Sequence, residues 1–387
     1  MKAGWKTVKL GEASELLADG DWIESKDQSN DGIRLIQTGN IGDGIFKDRE
    51  EKARYISEST FKRLRCTEIV EGDCLISRLP EPVGRSCILP SIPRSITAVD
   101  CAIIRFKQSL ILPEYFCYFS QSRAYQRLVE SKTSGTTRKR ISRSHLAEIE
   151  ITLPPLAEQK RIVALLDEVF AGIDEAKAKA EASIKRNADL FKSLLQSSFA
   201  SQDPEWVEMT LENCCEQIFA GGDVPKGRLS DERTTEFNVP IYANGEKDAG
   251  LYGFTDIARV TKPSITVSAR GTLGFTAIRT EPFFPIVRLI VLVPDDKKIS
   301  LPFLYHAITG MDFGNTGTSI PQLTVPNFKE SRLRIPGLKT QNAVAGKIDT
   351  IRKNGQSLRR LHEQKVLMLN ELKNSLLSQA FAGELTA

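Results

Sequence analysis

The chain has 387 residues with a formal net charge of +4; 41% of its residues are hydrophobic and 26% charged. This length predicts two or three domains, and the apolar fraction is enough to build real cores. No apolar run reaches the roughly 18 residues that suggest a membrane span, and Met1–Lys6 leads into a polar segment with no signal-like apolar core. The expected location is the cytoplasm, with no membrane contact. Seven cysteines (66, 74, 87, 101, 117, 214 and 215) are an odd number without metal-like spacing, which predicts reduced thiols.

The first block opens with an alternating segment, Trp5–Leu10, that reads as a short strand. Glu12–Leu17 reads as a helical turn ended by Gly20. Strands are expected at Ile33–Ile36, Gly72–Arg78 and Ala98–Phe106, and Pro113 opens a helix with Tyr115, Phe116, Tyr118 and Phe119 on its buried face. From Gln121 to His145, seven basic residues stand against one acid, Glu130, so a modest net charge hides a local basic patch. The strand Ile149–Leu153 closes the block. It is followed by Pro154-Pro155-Leu156-Ala157-Glu158-Gln159 and a long helical run ending Phe199-Ala200.

The same order then returns. Trp206–Leu211 echoes Trp5–Leu10, Val239–Gly245 echoes Leu35–Asn40, and Ile265–Gly274 stands in place of Leu75–Arg78 and Val83–Arg85. Pro302 opens a second aromatic helix, Arg332–Ile335 closes the block, and a second helical run ends Phe381-Ala382. Pro154 pairs with Pro336, Gln159 with Gln341, Asp167 with Asp349 and Phe199 with Phe381, each 182 residues apart. Across Leu153–Ala200, 11 of 48 positions match the second copy without a gap, so equal length is the firmest part of the repeat. The blocks themselves differ in length, which suggests a fixed scaffold carrying variable readers.

Both helical runs show apolar positions at a 3.5-residue period, the pattern of a coiled-coil seam. The first seam is Ile162, Leu166, Val169, Ile173, Leu190 and Leu194, with Ala176, Ala180, Ser183 and Asn187 between. The second is Val344, Ile348, Ile351, Leu358, Leu369, Leu372 and Leu376, with Gly355, His362 and Lys365 between. A run of about 42 residues is roughly 63 Å long and needs a partner of equal length, which each copy offers the other. The expected fold is therefore α+β: two mixed α/β heads separated by an antiparallel two-helix coiled coil, with an internal pseudo-twofold. The boundaries are 1–152 for the first head, 153–202 for the first helix, 203–334 for the second head and 335–387 for the second helix.

Catalytic signatures do not accompany this architecture. There is no Gly-x-Gly-x-x-Gly turn, no phosphate loop and no Asn/Asp-Pro-Pro-Tyr/Phe tetrapeptide, and His145, His306 and His362 lie in separate elements with no metal spacing. The doubled Trp-x-x-x-x-Leu starts, the Leu-Pro-Pro-Leu-Ala-Glu-Gln and Ile-Pro-Gly-Leu-Lys-Thr-Gln junctions, and the Ser-Leu-Leu-x-x-x-Phe-Ala endings resemble the specificity (S) subunit of type I restriction-modification systems. The second junction departs from the usual form, with Thr340 and Asn342 where the first has Glu158 and Lys160.

The resemblance implies a non-catalytic subunit whose two heads are target recognition domains, each reading half of a bipartite double-stranded DNA sequence. It implies that the helices measure the gap and dock two modification (M) subunits, with restriction (R) subunits joining later. S-adenosylmethionine, ATP and Mg would belong to those partners and not to this chain. Candidate DNA contacts are polar and basic residues on glycine-bearing loops. In the first head they are Gln37, Thr38, Asn40, Arg78, Arg85, Thr136, Thr137, Arg138, Lys139, Arg140 and Arg143. In the second they are Asn244, Lys247, Arg270, Thr272, Thr318, Ser319 and Gln322. A protein-only scaffold or inhibitor with degenerate heads is one rival reading, and a catalytic single-chain restriction-methylation enzyme is another; the missing methyltransferase motifs oppose the second.

Overall fold

A computed structural model describes residues 4–135, 138–200, 203–311 and 323–385. The chain divides into two compact units, one of residues 1–179 and 364–387 and the other of residues 180–363. Each unit thus holds one head plus half of each long helix, so the boundaries cut through the helices and not at their ends.

In the first unit, Lys6–Lys9 pairs antiparallel with Glu150–Leu153 and closes the head at its two chain ends, with Lys6 opposite Leu153. A four-stranded antiparallel sheet follows in the order Ser14–Asp19, Cys101–Phe106, Cys74–Ser77, Ser86–Ile88. A second, mixed sheet of five short strands is built around the parallel pair Ile33–Ile36 and Ser95–Thr97. The head of the other unit repeats this plan. Val207–Thr210 pairs with Arg332–Ile335, with Val207 opposite Ile335, and the four-stranded order is Cys215–Ala220, Ile290–Pro294, Ser264–Val267, Thr276–Arg279. Its mixed sheet has three strands around the parallel pair Val239–Tyr242 and Phe284–Pro285. Much of the difference in head length falls between the parallel strand and the sheet strand that follows. There both heads add a strand antiparallel to the first (Tyr55–Ile56 and Leu251–Thr255), but the first head also inserts the helix Glu58–Leu64 and the strand Glu68–Ile69.

One expected element is different. Glu12–Leu17 is not a helical turn, because Ser14–Asp19 forms an edge strand against Cys101–Phe106. Helix propensity in so short a segment is worth tenths of a kcal/mol per residue, and pairing with a largely buried central strand outweighs it. Gly20 then lets the chain cross the turn before that central strand, since a Cβ there would collide with the Ala98 carbonyl oxygen. Gly221 holds the matching place, where a Cβ would lie only 2.7 Å from the Ile286 amide nitrogen. All seven cysteines are buried free thiols.

The long helices span Leu156–Phe199 and Leu338–Ala382. Within the first unit they run antiparallel. Arg161, early in one helix, donates to the Leu385 carbonyl (2.9 Å) just past the end of the other, while Lys373 lies over the Phe170 ring farther along. In the second unit Asn187 donates to the Gly355 carbonyl at 2.9 Å.

The junction glutamines explain the repeated motif. Gln159 is fully buried; it accepts from the Leu112 amide (2.9 Å) and donates to the Leu110 (3.0 Å) and Pro154 (2.9 Å) carbonyls. Gln341 repeats the pattern, accepting from Ser300 (2.7 Å) and donating to Lys298 and Pro336 (both 2.8 Å). A planar amide with one acceptor and two donors satisfies three backbone groups at the entry to the aromatic helices, Pro113–Ser120 and Leu301–Thr309.

The matched aspartates grip those same helices. The Tyr118 hydroxyl donates to Asp167, and His306 Nε2 lies 3.0 Å from Asp349 Oδ1. The other end of each helix pair supplies a phenylalanine: Phe381 packs on Tyr115 and Phe119 (5.2 and 5.3 Å between centroids), and Phe199 packs on Phe303 (5.1 Å). Each aromatic helix is therefore held by the start of one long helix and the end of the other.

The seam is only partly as expected. Ile162, Leu166, Ile173, Ala180 and Ile348 are buried, and Val169, Leu194, Val344, Leu369 and Leu376 are half-buried. Leu190, Ile351, Leu358 and Leu372 are exposed, whereas Phe170, Leu195, Leu377 and Ala380 carry the packing. A helix of 3.6 residues per turn drifts away from a 3.5-residue stripe over this length, and the heads compete for its faces near both ends. Among the described residues, no helix is long and apolar enough to cross a membrane.

Two consequences can be measured. Gln159→Leu strands three buried backbone groups and should lower the stability of the first unit by about 2–4 kcal/mol, read by chemical denaturation; a loss below about 1 kcal/mol would dismiss the clasp. Burial holds the His306 imidazole below its ordinary value, with Asp349 pulling the other way. A depressed folded-state value means the unfolded chain binds more protons once pH falls through about 6.5. Stability is present above that pH and lost below it. The drop in melting temperature between pH 7.5 and 5.5 should be smaller in His306→Gln, which keeps a donor for Asp349 but does not titrate.

Candidate nucleic-acid interface

Three loops of the first head are bound together by two arginines. Arg78 follows the strand Cys74–Ser77 and is buried. Its guanidinium pairs with Asp19, Nε donates to the Ile141 carbonyl (3.0 Å) and Nη1 to that of Val99 (3.3 Å). Burial pulls this guanidinium below its ordinary value, and the Asp19 charge opposes the shift. Arg85 is half-buried and donates to four backbone carbonyls: Ile41 (2.8 Å), Leu79 (3.0 Å), Pro82 (3.0 Å) and Thr38 (2.9 Å). The turn Gln37–Ile41, the loop 78–85 and the loop 132–142 are thereby fixed to one another.

Asn40 is likewise turned inward, accepting from the Gln37 amide and donating to the Lys47 carbonyl, both at 3.0 Å. Three residues expected at the surface as readers, Arg78, Arg85 and Asn40, are instead the internal braces of the loops. The reason is the unmet carbonyls of irregular backbone, which a guanidinium fork or a carboxamide satisfies from inside.

The other described candidates lie nearer the surface. Ser134 and Arg140 exchange backbone hydrogen bonds (3.0 and 2.9 Å). Gly135 has φ +107°, and a Cβ there would collide with the Arg138 carbonyl oxygen. Arg138, Lys139 and Arg143 are exposed and Arg140 half-buried. Arg140 and Arg138 reach Asp100 (3.0 and 3.7 Å), and Arg143 reaches Asp19 (3.8 Å). Gln37 and Thr38 are half-buried on the adjoining turn. Thr136 and Thr137 lie outside the described residues.

Beside that turn lies a cleft of about 350 Å³, lined by Gln37, Gly39, Asn40, Arg49, Lys52 and Arg54 among others. Arg49, Lys52 and Arg54 make no salt bridge among the described residues and add positive charge that the sequence alone does not single out. In the sequence they belong to the mixed-sign run Lys47–Arg54, which reads as an ordinary solvated surface; only the fold brings them beside Gln37.

The second head uses different braces at the same places. Asn244 accepts from the Ala269 amide (2.8 Å) and donates to the Val287 carbonyl (2.6 Å), while the Ser268 hydroxyl accepts from Gly245 (3.1 Å). Ser77 and Ser268 occupy equivalent positions, since each exchanges backbone bonds with a following glycine turn (Gly84 and Arg85; Gly274 and Phe275). Ala269 thus stands at the place of Arg78, and Phe275 at that of Arg85. The buried arginine here is Arg279, which donates to Thr266 Oγ1 (3.1 Å) and lies 3.5 Å over the Tyr242 ring. It also donates to the carbonyl of Ala249, which with Asp248 sits at positive φ (52° and 49°). Lys247, Arg270 and Thr272 are exposed on these loops. Thr318, Ser319 and Gln322 lie outside the described residues.

The family model for the type I restriction modification DNA specificity domain matches residues 2–186 and again 204–365. This chain belongs to that family. A putative type I specificity subunit of Mycoplasma pneumoniae is 29% identical over 252 residues, covering 65% of this chain and 68% of the relative. The EcoBI specificity subunit of Escherichia coli is 24% identical over 305 residues, covering 68% and 64%. Among solved structures, a chain from a type I R-M system studied for complex assembly and conformational transition gives a TM-score of 0.84 at 18% identity, covering 100% of this chain and 99% of that one. The HsdS subunit of Thermoanaerobacter tengcongensis gives 0.64 at 17% identity, covering 100% and 98%. As a type I specificity subunit, the chain is the non-catalytic DNA-recognition component of a restriction-modification system and associates with other subunits of it.

Arg85→Lys keeps the charge but cannot reach four carbonyls. It should cost about 2 kcal/mol and speed amide exchange at Asn40 and Ile41; unchanged exchange would mean that the turn is held by something else.

Proposed function

We propose that this specificity subunit reads a bipartite double-stranded DNA target, each head taking one half through its braced loops. The observation that carries this reading is the surface that Arg78 and Arg85 organise in the first head. Three loops are locked into one face, with Arg138, Lys139, Arg140 and Arg143 beside Gln37 and Thr38. Rigid loops lower the ordering cost of binding. Arginine and lysine would set register on phosphates, while Gln37 and Thr38 would address base edges. In the second head Lys247, Arg270 and Thr272 would fill these roles, and Arg49, Lys52 and Arg54 extend the basic surface of the first.

The paired helices, 44 and 45 residues long, would set the gap between the half-sites and dock two modification subunits. The exposed apolar side chains on them suit that role: Leu367, Met368 and Leu372 in the first unit, and Leu190, Ile351, Leu358 and Leu361 in the second. Such side chains cost solubility unless a partner covers them. Adenine methylation with S-adenosylmethionine would belong to the modification subunits, and ATP- and Mg-dependent cleavage to restriction subunits.

Replacing Arg138, Lys139 and Arg140 together by alanine in the complex with modification subunits should weaken DNA binding. It should also reduce the slope of log affinity against log salt by about one for each lost phosphate contact. An unchanged slope, measured by fluorescence anisotropy on the target found by methylation mapping, would remove the loop from the interface.

A further inference from the structure

The arginines on the loops of the first head fall into two classes that differ in what their aspartates do. Asp19 pairs with Arg78, whose side chain is only 8% exposed. A guanidinium so placed needs a fixed counter-charge, because water cannot solvate it. Arg143 approaches the same carboxylate only at 3.8 Å.

Asp100 is different. Its carboxylate is shared between Arg140 (3.0 Å) and Arg138 (3.7 Å), whose side chains are 40% and 71% exposed. Its place is set by the backbone, since its carbonyl accepts from the Arg78 amide at 2.9 Å. Among the described residues, neither arginine is engaged by both edges of its fork, and Arg140 Nε is buried without a hydrogen-bond partner. Asp100 thus holds Arg140 imperfectly and leaves the exposed guanidinium surface of both arginines open to a second anion with more oxygens.

We infer that Asp100 is a built-in stand-in for a DNA phosphate, which must be displaced from Arg138 and Arg140 when the loop engages its target. Asp19, by contrast, is a permanent part of the frame. This inference rests on the reading of loop 132–143 as a DNA contact. With Asp100 in place, any duplex must break the two pairs and bring phosphate beside a carboxylate. A target whose base edges are well matched offsets that cost, and an arbitrary duplex does not. Asp100 thereby suppresses non-specific binding, and specificity is raised by a repulsive element inside the site.

The test compares Asp100→Asn with the parent in the complex with modification subunits, on target DNA and on a scrambled duplex of equal length. Removing the carboxylate should tighten binding to the scrambled duplex by about threefold to tenfold. It should steepen that duplex's salt slope by about one, and tighten target binding less, so the ratio between the two falls. Asp100→Glu, which keeps the charge, should behave as the parent. Asp19→Asn should lower the melting temperature by stranding Arg78, which Asp100→Asn should not do. Unchanged or weaker binding of Asp100→Asn to the scrambled duplex overturns the inference, and so does a fall in its melting temperature with loss of binding, which would make Asp100 part of the frame. The triple alanine variant separates the two levels. If it leaves binding untouched, the loop itself is not a DNA contact and both readings fail. If it weakens binding while Asp100→Asn changes nothing, the role of Asp100 alone is wrong.

Discussion

A buried glutamine at the start of each long helix is the constraint on which each unit depends. Once its proline junction enters the helix, the Gln159 or Gln341 carboxamide must find three partners away from water, and the loop before the aromatic helix supplies two of them. That fixes where the long helix leaves the head. The aspartate two turns later then reaches Tyr118 or His306, and the phenylalanine at the far end of the antiparallel helix closes on the same aromatic helix. Hydrophobic contact supplies most of the stabilisation, at about 1.5–3 kcal/mol for each fully buried large side chain. The hydrogen bonds set direction, because a buried amide tolerates few orientations.

With the head fixed on its helices, its loops can differ between the copies. The two heads solve the same bracing problem with different side chains. The first uses the forks of Arg78 and Arg85; the second uses Asn244, Ser268 and an arginine stacked on Tyr242. Both satisfy the carbonyls and amides of irregular backbone from within, which leaves the outer side chains free to vary with the DNA to be read.

Much of this was legible in the chain. The offset of 182 residues between Pro154 and Pro336, Gln159 and Gln341, and Phe199 and Phe381 announced two copies, and every one of those residues has the same role in both. The strands around Ile33, Cys74 and Ile265 stood out because buried strands read as apolar runs. Less legible was the inward turn of Arg78, Arg85 and Asn40. An arginine on a loop beside a glycine has the same sequence signature whether it faces DNA or a row of carbonyls. Arg49, Lys52 and Arg54 carry no sequence signal for the opposite reason, being diluted by neighbouring acids until the fold sets them beside Gln37.

The repeat, the matched helices and the family were all written in the order of the residues, because they depend on spacing and on which residue types a buried position accepts. Three things waited for the folded chain: which charged groups are braces and which are exposed, where Asp100 sits among the arginines, and which leucines of the long helices remain uncovered. Those outcomes depend on contacts between residues such as Arg85 and Ile41 or Arg140 and Asp100, about 40 positions apart, and on the burial they create. A periodic pattern names a face of a helix, but whether that face meets a neighbour depends on where the neighbour has been placed.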